Sequence, residues 1–196
     1  MPVRRQISEP FGIYSITFTC ARWLPLFSIT NSHYVVYNWF DHLKLKGHYI
    51  VGYTTMPDHV HAIIGFVNTG KSINSIVGNG KRFMAYELVS QLEQQHHRNI
   101  LIQLQQWVND TDRSRNKNHE VFEPSFDHKE CISVEFIEQK LHYIHLNPCR
   151  KNPSLAPQPE DYIHSSAKYY FTGEQGLYEV CNYMLLQDVD LAKQRK

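Results

Sequence analysis

Two runs of β-branched and aromatic residues, His48 to Thr55 and Val60 to Phe66, are separated only by Met56-Pro57-Asp58 and His59. Both read as strands. A parallel crossover needs about a dozen residues or more, so a connection this short commits the pair to an antiparallel arrangement. In an extended chain, side chains at i and i+2 share a face. Val60, Ala62 and Ile64 therefore point together into a core, and His59 and His61 project together on the opposite side.

The rest of the chain builds around that hairpin. Residues 11–20 (Phe-Gly-Ile-Tyr-Ser-Ile-Thr-Phe-Thr-Cys) read as a first strand, after which Trp23-Leu24-Pro25 breaks away into a loop or bulge. Asn31 or Ser32 is a plausible N-cap for a helix carrying Tyr34, Val35, Trp39 and Leu43 at helical spacing, and Gly47 ends it. Lys71-Ser72 opens a long helical pattern through Ile73, Ile76, Val77, Phe83, Met84, Leu88 and Leu92, but Gly78 and Gly80 move its expected start nearer Lys81. Ile100 to Val108 reads as a short helix, Asn109 to Glu120 as a flexible basic loop, and Val121 to Cys131 as one or two short strands. Ser133 caps a helix that Asn147-Pro148 is expected to stop near Leu146. A Pro-rich connection over 149–164 leads to an aromatic tail. This order predicts an α+β sandwich, an antiparallel sheet with helices on one face, as a single domain whose residues from about 149 to 196 form a C-terminal extension packed on it.

Composition excludes several classes. At 196 residues and 42% hydrophobic, the chain has room for one core and is not globally disordered. Its longest apolar runs, such as Ala62 to Val67, are strand-length, and Met1 to Pro10 lacks the apolar stretch of a signal peptide, which points to a cytoplasmic protein. Cys20, Cys131, Cys149 and Cys181 form no C-x-x-C pair and read as reduced thiols. With 20 Lys+Arg against 19 Asp+Glu, total charge does not favour a nucleic-acid partner; only local clustering could.

Two stretches carry chemistry. In Pro57-Asp58-His59-Val60-His61, two imidazoles on one strand begin a divalent-cation site. Among 12 histidines, a polar strand face holding two by chance is the plain competing reading. In Leu141-His142-Tyr143-Ile144-His145-Leu146-Asn147-Pro148, Tyr143 and Asn147 lie four apart and share a helix face; alone, they would pass for a packing tyrosine and a helix stop.

Taken together, these residues resemble the HUH single-tyrosine transposases, in the branch of the REP-associated tyrosine transposases and their insertion-sequence relatives. Met-Pro-Asp-His-Val-His-Ala-Ile-Ile at 56–64 is similar to the family's His-hydrophobe-His strand. Tyr-Ile-His-Leu-Asn-Pro-Cys-Arg at 143–150, about 80 residues later, is similar to its nucleophile helix. Glu160-Asp161-Tyr162 and Ser165-Ser166-Ala167 look like the segment that follows, so the likeness runs from about 11 to 171. The resemblance implies a ferredoxin-like or RRM-like fold. It implies His59, His61 and Asn147 as ligands of Mg²⁺ or Mn²⁺, and Tyr143 as the nucleophile. It further implies a metal-dependent single-stranded DNA endonuclease and strand transferase that forms a 5′-phosphotyrosine, acting in transposition or on repeated hairpin elements. Val121 to His128 matches the family pattern only loosely, which leaves the role of His128 open, and the connection over 96–120 is longer than usual.

Such an enzyme meets single-stranded or hairpin DNA, as a monomer or a homodimer. Lys81, Arg82, Arg113, Arg115, Lys117, Arg150 and Lys151 are the candidate phosphate contacts. Because a phosphotyrosine retains the energy of the cleaved diester, rejoining needs no ATP. The competing readings are an inactive or domesticated DNA-binding protein of the same fold, a relaxase or replication initiator, and an unrelated metal enzyme using His59 and His61.

Overall fold

A computed structural model describes residues 6–194. The strands are β1 (Gly12–Thr19), β2 (Tyr49–Thr55), β3 (His59–Phe66) and β4 (Asp127–Glu130), and the helices are α1 (Leu26–Ile29), α2 (Tyr34–Leu45), α3 (Ile73–Gln94), α4 (Arg98–Gln106), α5 (Asp110–Arg113), α6 (Val134–Arg150) and α7 (Ala167–Thr172). The sheet order is β2-β3-β1-β4, with every neighbouring pair antiparallel. This is the ferredoxin-like α+β sandwich.

The period-2 alternation of β3 sorts the helices. Val60, Ala62, Ile64 and Phe66 face the main core with Val36, Trp39 and Phe40 of α2 and Val77, Met84 and Leu88 of α3. Ile63 and Val51 face the other way and meet Ile137, Leu141 and Ile144 of α6. Thus α2 and α3 cover one face of the sheet as the pattern predicts, and α6 lies across the face that carries the histidines. Gly52 makes that approach close: a methyl there would run into Leu141.

Three local expectations change. Helix α3 starts at Ile73, where Ser72 Oγ accepts from the Ser75 amide at 3.2 Å, and it runs unbroken through both glycines. Gly80 is there for packing, because a side chain at that position would overlap the Trp39 indole. Helix α6 does not stop at Leu146 but continues through Pro148 to Arg150. Pro148 has no N–H for the carbonyl one turn back. Thr54 on β2 replaces it, with its hydroxyl 2.9 Å from the Ile144 oxygen. The segment 109–120 is tied down. Asn109 caps α5 by accepting from the Asp112 amide, and Lys117 pairs with Glu120 at 2.6 Å and with Asp112 at 3.4 Å.

The chain beyond α6 returns to the outer edge of β2. The amides of Thr55 and Ser166 donate to His164 and Tyr53 carbonyls at 2.8 and 3.0 Å. Tyr162 and Tyr170 donate their hydroxyls to the carbonyls of Thr55 and Val51, each at 2.8 Å. The four cysteines are free. Among the described residues, no helix is long and apolar enough to cross a membrane.

Candidate active site

His59 and His61 open β3 and are almost fully buried where α6 crosses the sheet. Each imidazole is held through Nδ1: His59 donates to Asp58 Oδ1 at 2.7 Å, and His61 Nδ1 lies 2.7 Å from Thr17 Oγ1 on the neighbouring strand. Fixing Nδ1 in this way turns both Nε2 atoms inward, and they approach to 3.1 Å. The Asn147 carboxamide reaches down from α6 to 2.8 Å from His61 Nε2. The Tyr143 ring stands edge-on to His61 with ring centres 5.7 Å apart, and 49% of the residue is open to solvent. The four residues singled out in the sequence thus meet in one place, along the floor and one wall of a cleft of about 1260 Å³.

The electrostatics suit a cation site. Burial, together with the neighbouring His59 and Lys140, holds the His61 imidazole down to about 3, so it is neutral and keeps a lone pair on one ring nitrogen. Burial alone would raise the Asp58 carboxyl, but hydrogen bonds and charge from His59 and Lys151 outweigh it and hold it at about 2. Asp58 is therefore an anion that orients His59, as carboxylates behind metal-binding imidazoles do. Two nitrogens bound to one ion at about 2.1 Å and at right angles stand about 3.0 Å apart, which the observed Nε2 separation matches. Among the described residues, no group of three or more His, Cys, Asp or Glu side chains is placed to hold a metal. A third donor could come from the carboxamide of Asn147, which presents its oxygen when the amide is turned over. Two imidazoles and an amide oxygen suit Mg²⁺ or Mn²⁺.

The surrounding residues divide differently from the sequence expectation. Lys81 is buried, donating to the Glu123 and Ser125 carbonyls at 2.7 and 3.1 Å, and pins the chain ahead of β4 instead of facing a phosphate. Lys117 is taken up by its two acids, Arg113 donates to the Gln105 and Val108 carbonyls, and Lys151 bonds Asp58 Oδ2 at 2.9 Å. Arg82, Arg115 and Arg150 are exposed, and none of the seven lines the cleft. Register places His128 opposite Ile16, whose side chain is in the main core, so His128 projects to the α2–α3 face beside Tyr14 and Phe126. It lines another part of the same cleft, on the opposite face of the sheet from His59 and His61. His145, between Tyr143 and Asn147, turns to Ser166 Oγ at 2.9 Å and is structural.

Sequence reasoning missed Lys140, Asp58, Thr17 and Trp23. Lys140 lies three residues before Tyr143, and its Nζ is 6.0 Å from that ring in the cleft; the i,i+3 spacing was the available signal. Thr17 carried no local signal, because its role comes from pairing opposite His61.

No protein-family model matches the sequence, and none of the curated proteins matches it. Among solved structures the chain is similar to a REP-associated tyrosine transposase bound to a REP hairpin, at 14% identity and a TM-score of 0.60, over 100% of this chain and 99% of that one. A proposed transposase from Deinococcus radiodurans R1 aligns at 16% identity and a TM-score of 0.42, over 74% of this chain and 95% of that one. At such identity the first likeness is one of fold, carried over the full length of both chains. The protein is therefore built on the fold of the REP-associated tyrosine transposase.

Proposed function

We propose that this chain is a tyrosine transposase: a metal-dependent, single-stranded DNA endonuclease and strand transferase that works through a 5′-phosphotyrosine. The observation that carries this reading is the meeting of Tyr143 and Asn147, from α6, with His59 and His61, from β3. A packing tyrosine would be buried, and this one is half open on a cleft. The fold likeness to a transposase solved with a REP hairpin supports hairpin DNA as the substrate class.

His59, His61 and Asn147 would hold Mg²⁺ or Mn²⁺, which when bound supplies a Lewis acid for the non-bridging phosphate oxygens. The chain's own residues do the rest. Asp58 and Thr17 keep the two imidazoles aimed at one point. Lys140 adds a positive charge beside the phenol, where the phosphate must sit. The Tyr143 oxygen forms a bond to phosphorus and the bond from phosphorus to O3′ breaks. The phenolic proton is balanced by the one gained at the free 3′-hydroxyl. Reversal with another 3′-hydroxyl completes transfer. A buried imidazole floor cannot meet a phosphate inside an intact duplex without distortion, so the strand at the cut is unpaired.

The test is incubation with single-stranded hairpin oligonucleotides and Mn²⁺, followed by a denaturing gel. The wild-type protein should form a covalent adduct. Tyr143→Phe should abolish it while leaving DNA binding unchanged; an adduct that survives Tyr143→Phe would sink the assignment.

A further inference from the structure

The chain leaves β1 through a turn built from two residues in the left-handed region, Arg22 (φ 50°) and Trp23 (φ 61°). Side chains rarely adopt this backbone, and two large ones in succession persist only where their surroundings hold them. Here the surroundings do. The Cys20 and Ala21 amides donate to the carbonyls of Asp58 and Val121, each at 2.8 Å. The Arg22 amide donates to Glu123 Oε1 at 2.9 Å, and its guanidinium lies 4.7 Å above the Trp107 ring. All this strain delivers Trp23 to the rim of the cleft, with 62% of the residue exposed. An indole left so open contributes little to the core.

Its position gives it a use. Ring contacts run in sequence from Trp23 to His59 (5.6 Å), from His59 to His61 (4.7 Å) and from His61 to Tyr143 (5.7 Å). A phosphate held over the two imidazoles has the nucleophile at one end of this row and an exposed indole at the other. We propose that Trp23 is a stacking platform for the unpaired base that flanks the scissile phosphate. An indole face accepts any base without reading its sequence, and it requires that the base be unpaired. The inference rests on the strand-transferase reading and adds to it a means of selecting single-stranded substrate at the cut.

The test is equilibrium binding of a fluorescent oligothymidylate of about twenty nucleotides, and of a duplex of the same length, to the full chain carrying Tyr143→Phe so that no adduct forms. Adding Trp23→Ala should weaken single-strand binding about tenfold or more and leave duplex binding unchanged. Trp23→Phe should keep most of the affinity. The dependence of affinity on salt should be the same with and without the indole, because stacking releases no counterions. Trp23→Gly, which suits the left-handed backbone, should lose binding yet melt no lower than the parent. Equal single-strand affinity with Trp23→Ala, or an equal loss on duplex, would overturn the inference alone. Failure of the parent protein to bind any single-stranded DNA would overturn the strand-transferase reading and this inference with it.

Discussion

Asp58 joins the two halves of the site. One carboxylate oxygen fixes the His59 ring and the other holds Lys151, the residue just past the end of α6. The Asp58 carboxylate is mostly buried, so removing its charge leaves both His59 and Lys151 without their counter-ion. Asp58→Asn should weaken Mn²⁺ binding by about 10- to 100-fold, measured by electron paramagnetic resonance titration. Unchanged affinity would mean that His59 needs no orienting partner. This residue sits beside a motif that is plain in the sequence, yet its role is not: an aspartate before a histidine has no preferred direction until the turn into β3 aims it.

Within the elements, α6 depends on a hydroxyl from another part of the chain. Thr54→Val keeps the shape and removes the donor to the buried Ile144 carbonyl, which Pro148 cannot serve. The expected cost is about 1–3 kcal/mol in urea unfolding, with the slope unchanged. Adduct formation should fall as well, since the bond lies between Tyr143 and Asn147. Helix α3 offers a paired test. Gly78→Ala meets open space and should stabilise by about 0.5–1 kcal/mol through helix propensity. Gly80→Ala gains the same propensity but drives a methyl into Trp39. Overpacking of that kind costs about 1–3 kcal/mol, so the net sign reverses. Chemical denaturation of both variants checks the contrast.

At the scale of the whole molecule, the returning C-terminal segment stacks His164 on buried His33, with rings parallel and 3.7 Å apart. Burial, and then the His164 ring, hold the His33 imidazole down to about 4. Burial lowers His164 too, and Tyr37 and Tyr162 lie against it. Both rings are neutral in the fold, and the unfolded chain takes up protons first as pH falls below its normal value of about 6.5. The His33 contribution to stability should therefore be flat above that point, decline between about pH 6.5 and 4 by on the order of 3 kcal/mol, and level off once the folded ring also protonates. Thermal melts across this range should show the decline, and His33→Phe should make it shallower without removing it, because the buried His61 and His145 imidazoles are lowered as well.

The sequence by itself determined what backbone geometry dictates over a few residues. The tight hairpin, the shared face of His59 and His61, and the shared face of Tyr143 and Asn147 all follow from periods of 2 and 3.6. Only the tertiary structure decided what those faces meet. His61 and Asn147 are 86 residues apart, and no local pattern reports that α6 crosses the histidine face. Nor does composition distinguish Lys81, whose charge is spent inside on carbonyls, from Arg82 beside it, which is exposed. Pro148 reads as a stop because a lone helix cannot replace the missing N–H, and it becomes a helical residue only when Thr54 arrives from β2. Burial and long-range pairing depend on loop closure over the whole chain, which is why they lie outside the reach of a sequence window.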